Sequence, residues 1–256
     1  MTVATTEAEV HGARVADGVR RFDDGIVNWY LLEGDDGLTA IDAGFPPAWD
    51  ILRTAIESLD RRLADLKAVV LTHGHIDHIG FAERARREAG ATIYVHELDA
   101  PLICNPLRIA RSERSPLRYL NQGAARALMF HALKTGAPRG KRVQEFITFT
   151  DGDTLPAPGS PRAVFTPGHT DGHTAFDLTE RDLVIAGDAL VTRNPYTGAT
   201  GPQIVSGAAT KDSDQALRSL GRLEQLEASL LLPGHGEPWT QGAGEAARQA
   251  RARGSS

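Results

Sequence analysis

The chain has little cysteine, no excess of positive charge and no long hydrophobic run. Its single cysteine, Cys104, cannot form an internal disulfide, which fits a reducing compartment and excludes a disulfide scaffold. Lysine and arginine number 28 against 33 aspartates and glutamates, and the net charge of -5 argues against a broad cationic face for nucleic acid. No stretch approaches the roughly 20 apolar residues that a membrane-spanning helix needs.

Residues 1–10 also lack the basic stretch and apolar run of a signal peptide, because they are polar and acidic. We therefore expect a cytoplasmic protein with a small-molecule substrate and neither a nucleic-acid nor a membrane partner. The sequence leaves the oligomeric state open, a homodimer included. What the chain does contain is histidine, nine residues with several of them clustered, which points to metal.

Segments of strand-like and helix-like pattern follow one another along the chain. Residues 25–33 and 38–42 are predicted to pair as a hairpin around a Gly-Asp-Asp-Gly turn, and residues 46–59 to form a helix. Further strands are expected at residues 66–71, 91–95, 143–148, 162–166, 174–178, 182–186 and 229–232, and further helices at residues 79–89 and 212–226. A surface helix that frays is expected after Gly242. This succession predicts a layered α/β domain in which strand ends supply the site.

Residues 96–140 differ from their surroundings in their prolines, their many arginines and a helical stretch around residues 117–133. We expect this segment to be a helical cap inserted into a single domain of residues 1–256, because it is too small to hold its own core.

Ligand-type side chains are concentrated in residues 72–78, Thr-His-Gly-His-Ile-Asp-His, directly after an apolar strand. His73 and His75 are two apart in an extended chain, so they project to the same side and can reach one metal ion. Asp77 and His78 stand where the chain turns into the next helix and can face a second ion. Imidazole and carboxylate without thiolate suit Zn²⁺, and also Fe, Mn or Co.

Three more ligand-type residues, His169, Asp188 and His235, follow short apolar strands in loops that contain glycine. One sheet edge could present all of them. In this order the residues resemble the metallo-β-lactamase superfamily, from Asp42 to His235. The resemblance implies a four-layer αβ/βα sandwich of two mixed β-sheets flanked by helices, with a binuclear centre at one edge of the two sheets.

The resemblance also implies the role of each residue. The first ion would be bound by His73, His75 and His169, and the second by Asp77, His78 and His235, with Asp188 as the bridge. Asp42 would orient ligands without touching an ion, and His173 would have a supporting role. Two Zn²⁺ ions, or Fe or Mn in their place, would produce a bridging hydroxide near neutral pH, and Asp77 could relay a proton to the leaving group.

Subfamily markers favour a glyoxalase II-like branch with a bridging aspartate, mostly by elimination. Zinc β-lactamases lack that aspartate, whereas this chain has Asp188. Glyoxalase II itself and the persulfide dioxygenases follow it with a Gly-Arg segment that residues 189–198 lack. Acyl-homoserine lactonases have a tyrosine three residues further on, where Val191 stands here, although Tyr196 lies in the same loop.

The sequence thus predicts a metal-dependent hydrolase of an ester, lactone, thioester or related bond. The substrate is expected between the metals, the loop of residues 193–200 and the cap. Candidate substrate-binding residues are Arg193, Asn194, Tyr196, Tyr119 and Met129. Two alternatives stay open: a mononuclear iron oxygenase of the persulfide dioxygenase type, and a non-catalytic metal-binding module.

Overall fold

The structure is a computed structural model that describes residues 11–105, 112–137 and 142–256. Its larger sheet has seven strands in chain order: β1 (Ala13–Ala16), β2 (Val19–Asp23), β3 (Asn28–Gly34), β4 (Gly37–Ile41), β5 (Leu66–Val70), β6 (Thr92–His96) and β7 (Ile147–Phe149). Strands β1 to β4 are antiparallel to their neighbours, and β4 to β7 are parallel.

The second sheet has four strands in the order β13-β10-β9-β8. These are β8 (Arg162–Phe165), β9 (Thr174–Leu178), β10 (Leu183–Gly187) and β13 (Leu230–Pro233). Strand β13 is parallel to β10, and β9 is antiparallel to both β8 and β10. A separate two-stranded ribbon joins β11 (Val191–Arg193) to β12 (Thr200–Gln203).

Within the part of the chain that the structure describes, four helices cover the outer faces of the sheets, and two more lie in the segment of residues 96–140. They are α1 (Ala48–Ser58), α2 (Ala82–Ala89), α3 (Ala100–Cys104), α4 (Gly123–Lys134), α5 (Ser213–Glu224) and α6 (Ala243–Arg253). Short 3-10 turns occur at Leu63–Asp65, Pro116–Tyr119 and Thr179–Arg181. Among the described residues no helix is long and apolar enough to cross a membrane.

Three buried clusters show why the layers stack as they do. Residues on one face of β4 and β5 pack against α1 and α2, and those on the other face meet the second sheet. In β10 the alternation is clear, because Leu183 and Ile185 point to the first sheet while Val184 points to α5 and α6. Both sheets are therefore buried on both faces, and the predicted four-layer sandwich of mixed sheets is confirmed.

The predicted elements differ from the observed ones at a few places along the chain. Strands β1 and β2 and the β11–β12 ribbon were not predicted, and in place of the strand expected at residues 143–148 the structure has the shorter strand Ile147–Phe149. The helix expected to fray at the C-terminal end is packed instead, since Ala243, Ala246, Ala247 and Ala250 are buried against the second sheet. Residues 1–10, and residues 106–111 and 138–141 in and beside the predicted cap, lie outside the described residues.

Candidate metal centre

All the predicted ligands follow the carboxyl ends of strands that point the same way within their sheet. Residues 72–78 follow β5, while His169, Asp188 and His235 follow β8, β10 and β13. Because β8, β10 and β13 share one direction, their loops meet at one edge of the sheet. At Gly234 a β-carbon would lie 2.1 Å from the Asp188 Oδ1, so only glycine allows this close approach.

The ligand-type atoms form three groups, each able to hold a metal ion. In every group the atoms lie within 4.8 Å of one another. The groups are His73, His75 and His169; His73, His78 and Asp188; and Asp77, His78 and His235. The structure thus brings all seven predicted ligands together.

A contact on the far side of the ring orients four of the histidines. In each case Nδ1 lies at hydrogen-bond distance from an oxygen, which leaves Nε2 facing the centre. The pairs are His73 with Thr72 Oγ1 at 2.9 Å, His78 with Asp42 Oδ2 at 2.8 Å, His169 with Thr210 Oγ1 at 3.3 Å, and His235 with the Ile26 carbonyl at 2.5 Å. His75 is the exception, because its Nδ1 faces the centre and lies 3.0 Å from the His169 Nε2.

The atoms that face the centre include three that are buried and lack any hydrogen-bond partner among the described residues. They are the Nε2 of His73, the Nε2 of His78 and the Oδ1 of Asp188. Buried polar atoms are normally paired, because an unpaired one costs about 1–3 kcal/mol. Histidine nitrogens and a carboxylate oxygen converging in this way form the donor set expected around divalent metal ions.

Asp42 fixes the start of the ligand loop through hydrogen bonds to Thr72 and His78. Its carboxylate accepts hydrogen bonds from the Thr72 N–H at 2.7 Å, the Thr72 hydroxyl at 2.8 Å and the His78 Nδ1. The residue has a φ of 62°, a left-handed conformation that aspartate tolerates better than most residues. Asp42 therefore orients two ligands without facing the centre itself.

His173 supports the centre from a second direction. Its Nε2 accepts a hydrogen bond from the Asp188 N–H at 2.9 Å, so Nδ1 carries the proton and can donate to the Thr166 hydroxyl, also at 2.9 Å. Complete burial lowers the pKa of His173 to about 3, which keeps the ring neutral. The residue fixes Asp188 and belongs to none of the three ligand groups.

Burial and nearby charges shift the pKa values of the ligand side chains in opposite directions. Burial lowers the pKa of His73 and His169 well below the usual histidine value. For His78 burial also lowers the pKa, but the carboxylates of Asp42 and Asp188 outweigh it and raise the value to about 10. Burial raises the pKa of Asp188, but the positive charges of His235 and His78 outweigh it and hold that pKa well below normal. An anionic Asp188 surrounded by imidazoles favours a cation at the centre.

The predicted substrate-binding residues differ in their burial and in their contacts. Tyr196 is half-buried and packs in one cluster with Ile76 of the ligand loop, and burial together with the charges of Asp77 and Asp188 raises its pKa. The Tyr119 ring lies 6.0 Å from that of Tyr196, measured between centroids, and brings the cap segment to the same loop. The cap segment comprises residues 112–137. Arg193 is exposed.

The other two predicted substrate-binding residues, Asn194 and Met129, have distinct surroundings. Asn194 is buried, and its Oδ1 accepts hydrogen bonds from the Tyr196 and Thr197 N–H groups, so it shapes the loop. Met129 is 40% exposed on the outer side of α4, because the inward position of that turn is occupied by Leu128. One residue along a helix is a rotation of about 100°, which separates these two side chains.

Several supporting residues were not predicted from the sequence. Thr72 and Thr210 contact ligand histidines, and Asp99 accepts hydrogen bonds from both histidine-bearing loops. Thr72 and Asp99 do carry a signal, since each follows a buried strand of the parallel part of the first sheet. Thr210 carries none, as it stands 41 positions from the histidine that it contacts.

Comparison with known proteins agrees with this geometry. The family model of the metallo-beta-lactamase superfamily matches residues 22–235. The chain therefore belongs to the metallo-beta-lactamase superfamily, which confirms the predicted fold class and the class of metal-dependent hydrolases.

Relatives resemble the chain over most of its length. It is 26% identical over 239 residues to the probable metallo-hydrolase YflN of Bacillus subtilis, covering 90% of this chain and 88% of that protein. It is 31% identical over 229 residues to the uncharacterized protein Rv2581c of Mycobacterium tuberculosis, covering 84% and 88%. Among solved structures, the metallo-beta-lactamase family protein TTHA1429 of Thermus thermophilus is 25% identical with a TM-score of 0.67, covering 93% of this chain and 79% of that one.

Proposed function

We propose that this metal-dependent hydrolase holds two zinc ions and cleaves an ester, lactone, thioester or related bond of a small molecule. The observation that carries the proposal is the convergence of the unpartnered Nε2 atoms of His73 and His78 with the unpartnered Oδ1 of Asp188. Three buried polar atoms without partners in one place are best explained by a ligand that all three share.

The proposed ligand sets divide the site into two halves. His73, His75 and His169 would hold one ion, and Asp77, His78 and His235 the other. Asp188 suits the bridging position, because its Oδ2 lies 3.3 Å from the Nε2 of His169 and 3.3 Å from that of His235. One carboxylate thus reaches both halves.

Two divalent ions would polarise the oxygen of the scissile bond and lower the pKa of a water molecule. The chain contributes a proton acceptor in Asp77, which is 17% exposed and therefore more open to solvent than Asp188. Its Oδ2 is 3.7 Å from the His235 Nε2 and 3.9 Å from the His78 Nε2. From there Asp77 can move a proton to a leaving group.

The chemistry of the donor set favours zinc. Five imidazoles and two carboxylates without a thiolate form a mixed nitrogen and oxygen set, which suits Zn²⁺ and also accepts Fe or Mn. We therefore propose zinc as the native ion, with iron and manganese as the outcomes to test against it.

The substrate would approach from the side of the cap segment. Ile26, Ile76 and Tyr196 pack together with Leu128 of α4 in one apolar cluster, and Tyr119 adjoins it. Apolar and aromatic side chains beside a polar centre are typical of sites for small organic molecules. The net charge of -5 favours a small-molecule substrate over nucleic acid. The exposed, unpaired Cys104 favours a reducing compartment such as the cytoplasm.

The decisive experiment combines metal analysis with a panel of substrates. We expect about two zinc equivalents per chain and chelator-sensitive hydrolysis of at least one ester, lactone, thioester or phosphodiester. The Asp188→Ala variant is the inactive control. Protein that binds no divalent ion would contradict the proposal. One iron per chain with oxygen consumption on a persulfide would replace it with the oxygenase, and two ions without turnover of any substrate class would favour a non-catalytic metal-binding module.

A further inference from the structure

Asp99 is a buried carboxylate that no part of the proposed mechanism uses. It follows β6 and begins the short helix α3, and its side chain is fully shielded from solvent. An aspartate at this position normally accepts a hydrogen bond from an N–H of its own helix. Here, within the described residues, the side chain makes no such bond. Its carboxylate is directed elsewhere.

The Asp99 carboxylate joins the two loops that carry the first group of histidines. Its Oδ2 accepts hydrogen bonds from the Gly74 N–H at 2.9 Å and from the Thr170 hydroxyl at 2.7 Å. Its Oδ1 accepts one from the Gly172 N–H at 2.7 Å. Gly74 stands between His73 and His75, while Thr170 directly follows His169.

The two glycines show how tightly the loops are held at this point. A β-carbon on Gly74 would lie 2.6 Å from the Leu102 β-carbon, and one on Gly172 would lie 2.6 Å from the Asp99 nitrogen. Neither distance is sterically allowed, so both loops approach the start of α3 as closely as the backbone permits. A side chain at either glycine would push its loop away from Asp99.

We infer that Asp99 is a positioning residue that sets the separation of these two loops and so assembles the first of the two ion-binding groups. This inference rests on the proposed function. The quantity that Asp99 controls is the approach of the His75 Nδ1 to the His169 Nε2, which are 3.0 Å apart.

The effect of Asp99 is confined to this half of the centre. The second group is held by other contacts, since His78 bonds to Asp42 and His235 to the Ile26 carbonyl. Neither contact involves Asp99. Replacing Asp99 therefore weakens one ion site and spares the other.

The test uses two variants, each of which keeps only one of the two ion-binding groups, and Asp99 is then replaced in both. The His235→Ala background keeps the three-histidine group, and the His169→Ala background keeps the group of Asp77, His78 and His235. Zn²⁺ affinity is measured in each background by competition with a chelator, and the absorption spectrum of bound Co²⁺ reports the geometry. Adding Asp99→Asn should lower affinity about 10–100-fold in the first background and leave the second unchanged, as expected for loss of a group that orients ligands.

Asp171→Asn is the matched control. Asp171 lies on the same loop but is exposed and paired with Lys211, so its replacement should alter neither site. Asp99→Asn replaces an acceptor oxygen with a donor group facing three donors, so at least one of the three bonds is lost. In the first background the Co²⁺ spectrum should change as well, which a general loss of stability would not produce.

Equal Zn²⁺ affinity with and without Asp99→Asn in the first background would overturn the inference. An equal loss in both backgrounds would also overturn it, because that marks a general loss of structure. If Asp99→Asn does not fold by circular dichroism, Thr170→Val removes a single bond and should still weaken the first site selectively by a few-fold. Failure of the wild-type protein to bind Zn²⁺ would instead refute the proposed function.

Discussion

The ligand loops and the cap segment differ in which side chains they bury: the loops bury polar groups, whereas the cap segment exposes apolar ones. In the loops, imidazoles and carboxylates are buried, with His73, His78 and Asp188 almost completely shielded from solvent. In the cap segment, large apolar side chains are exposed: Leu117 by 67%, Phe130 by 70% and Leu133 by 69%. Both regions lie on the same side of the fold, joined by the contact between Tyr119 and Tyr196.

The difference has a physical reason. Polar groups tolerate burial only where each has a partner, so the loops must carry a complete set of supporting contacts. Exposed apolar groups carry no such requirement and can be replaced one at a time at little cost. The centre is therefore a network that responds to single changes, whereas the exposed apolar side chains of the cap segment can be replaced singly.

The largest expected effect comes from the residue that both halves of the centre share. Asp188→Ala removes the carboxylate between His169 and His235. We expect metal content to fall and hydrolytic activity to drop more than about 100-fold, beyond the loss of a merely supporting group. Metal analysis beside kcat/KM checks this. Full zinc content together with near-normal activity would show that the two halves do not share a ligand.

A smaller effect is expected for Asp42, which supports ligands without facing the centre. Asp42→Ala leaves the Thr72 N–H and the His78 Nδ1 without their acceptor. We expect metal affinity to fall about 10–100-fold, mainly at the site of His78. Chelator competition checks this, with Asp50→Asn as an exposed control on α1. Unchanged affinity would mean that the imidazoles hold their orientation unaided.

The cap segment should respond in the opposite way. Leu133→Gln replaces an exposed apolar side chain, and we expect the free energy of unfolding to change by less than about 0.5 kcal/mol and metal content to stay constant. Urea denaturation and metal analysis check this. A matched change at the inward residue of the same helix, Leu128→Ala, should cost about 2 kcal/mol. A loss of bound metal in Leu133→Gln would remove the contrast between the two regions.

A pH-dependent effect concerns a buried histidine outside the centre. His96 stacks on Phe165 with ring centroids 4.5 Å apart, and burial lowers its pKa below the usual 6.5 although Asp99, Glu97 and Asp151 oppose this. Below pH 6.5 the unfolded chain therefore binds a proton that folded His96 resists, and stability falls with pH.

His96→Phe keeps the stacking and removes this titration. We expect the variant to gain stability relative to wild type as the pH falls from about 7 to 5, because the unfolded wild-type chain is protonated at His96 in this range while the folded one resists it. Urea denaturation at several pH values measures the difference in the free energy of unfolding between variant and wild type. The other histidines are present in both proteins, so their contributions cancel. A difference that does not vary with pH would assign the acid sensitivity to the ligand histidines alone.

Much of the fold could be predicted because its signals are local. The hairpin of β3 and β4, the helix α2 ended by Gly90 in a left-handed conformation, and the strand β9 all depend on neighbouring residues. Strands β1 and β2 were missed because they are short and carry several charged residues, such as Arg20 and Arg21. Strand β2 is held by its pairing with β3, and β1 by its pairing with β2.

The ligand types and their spacing could be predicted from the chain alone, since metal chemistry selects histidine and aspartate wherever they occur together. The supporting groups could not. Thr210 is one threonine among many until the fold brings it 3.3 Å from the His169 Nδ1. Asn194 likewise has a contact that the sequence did not show, because its Oδ1 accepts a hydrogen bond from the Tyr196 N–H within a turn.

The sequence by itself determined the alternation of strands and helices and the set of residues that can bind metal, because both depend on residue type and short spacing. Tertiary structure alone decided which nitrogen of each histidine faces the centre and which side of α4 is buried. It also decided that Asp99 joins two loops, one with Gly74 at 25 residues before it and the other with Thr170 at 71 residues after it. These features depend on contacts between distant segments, which exist only after the two sheets have packed.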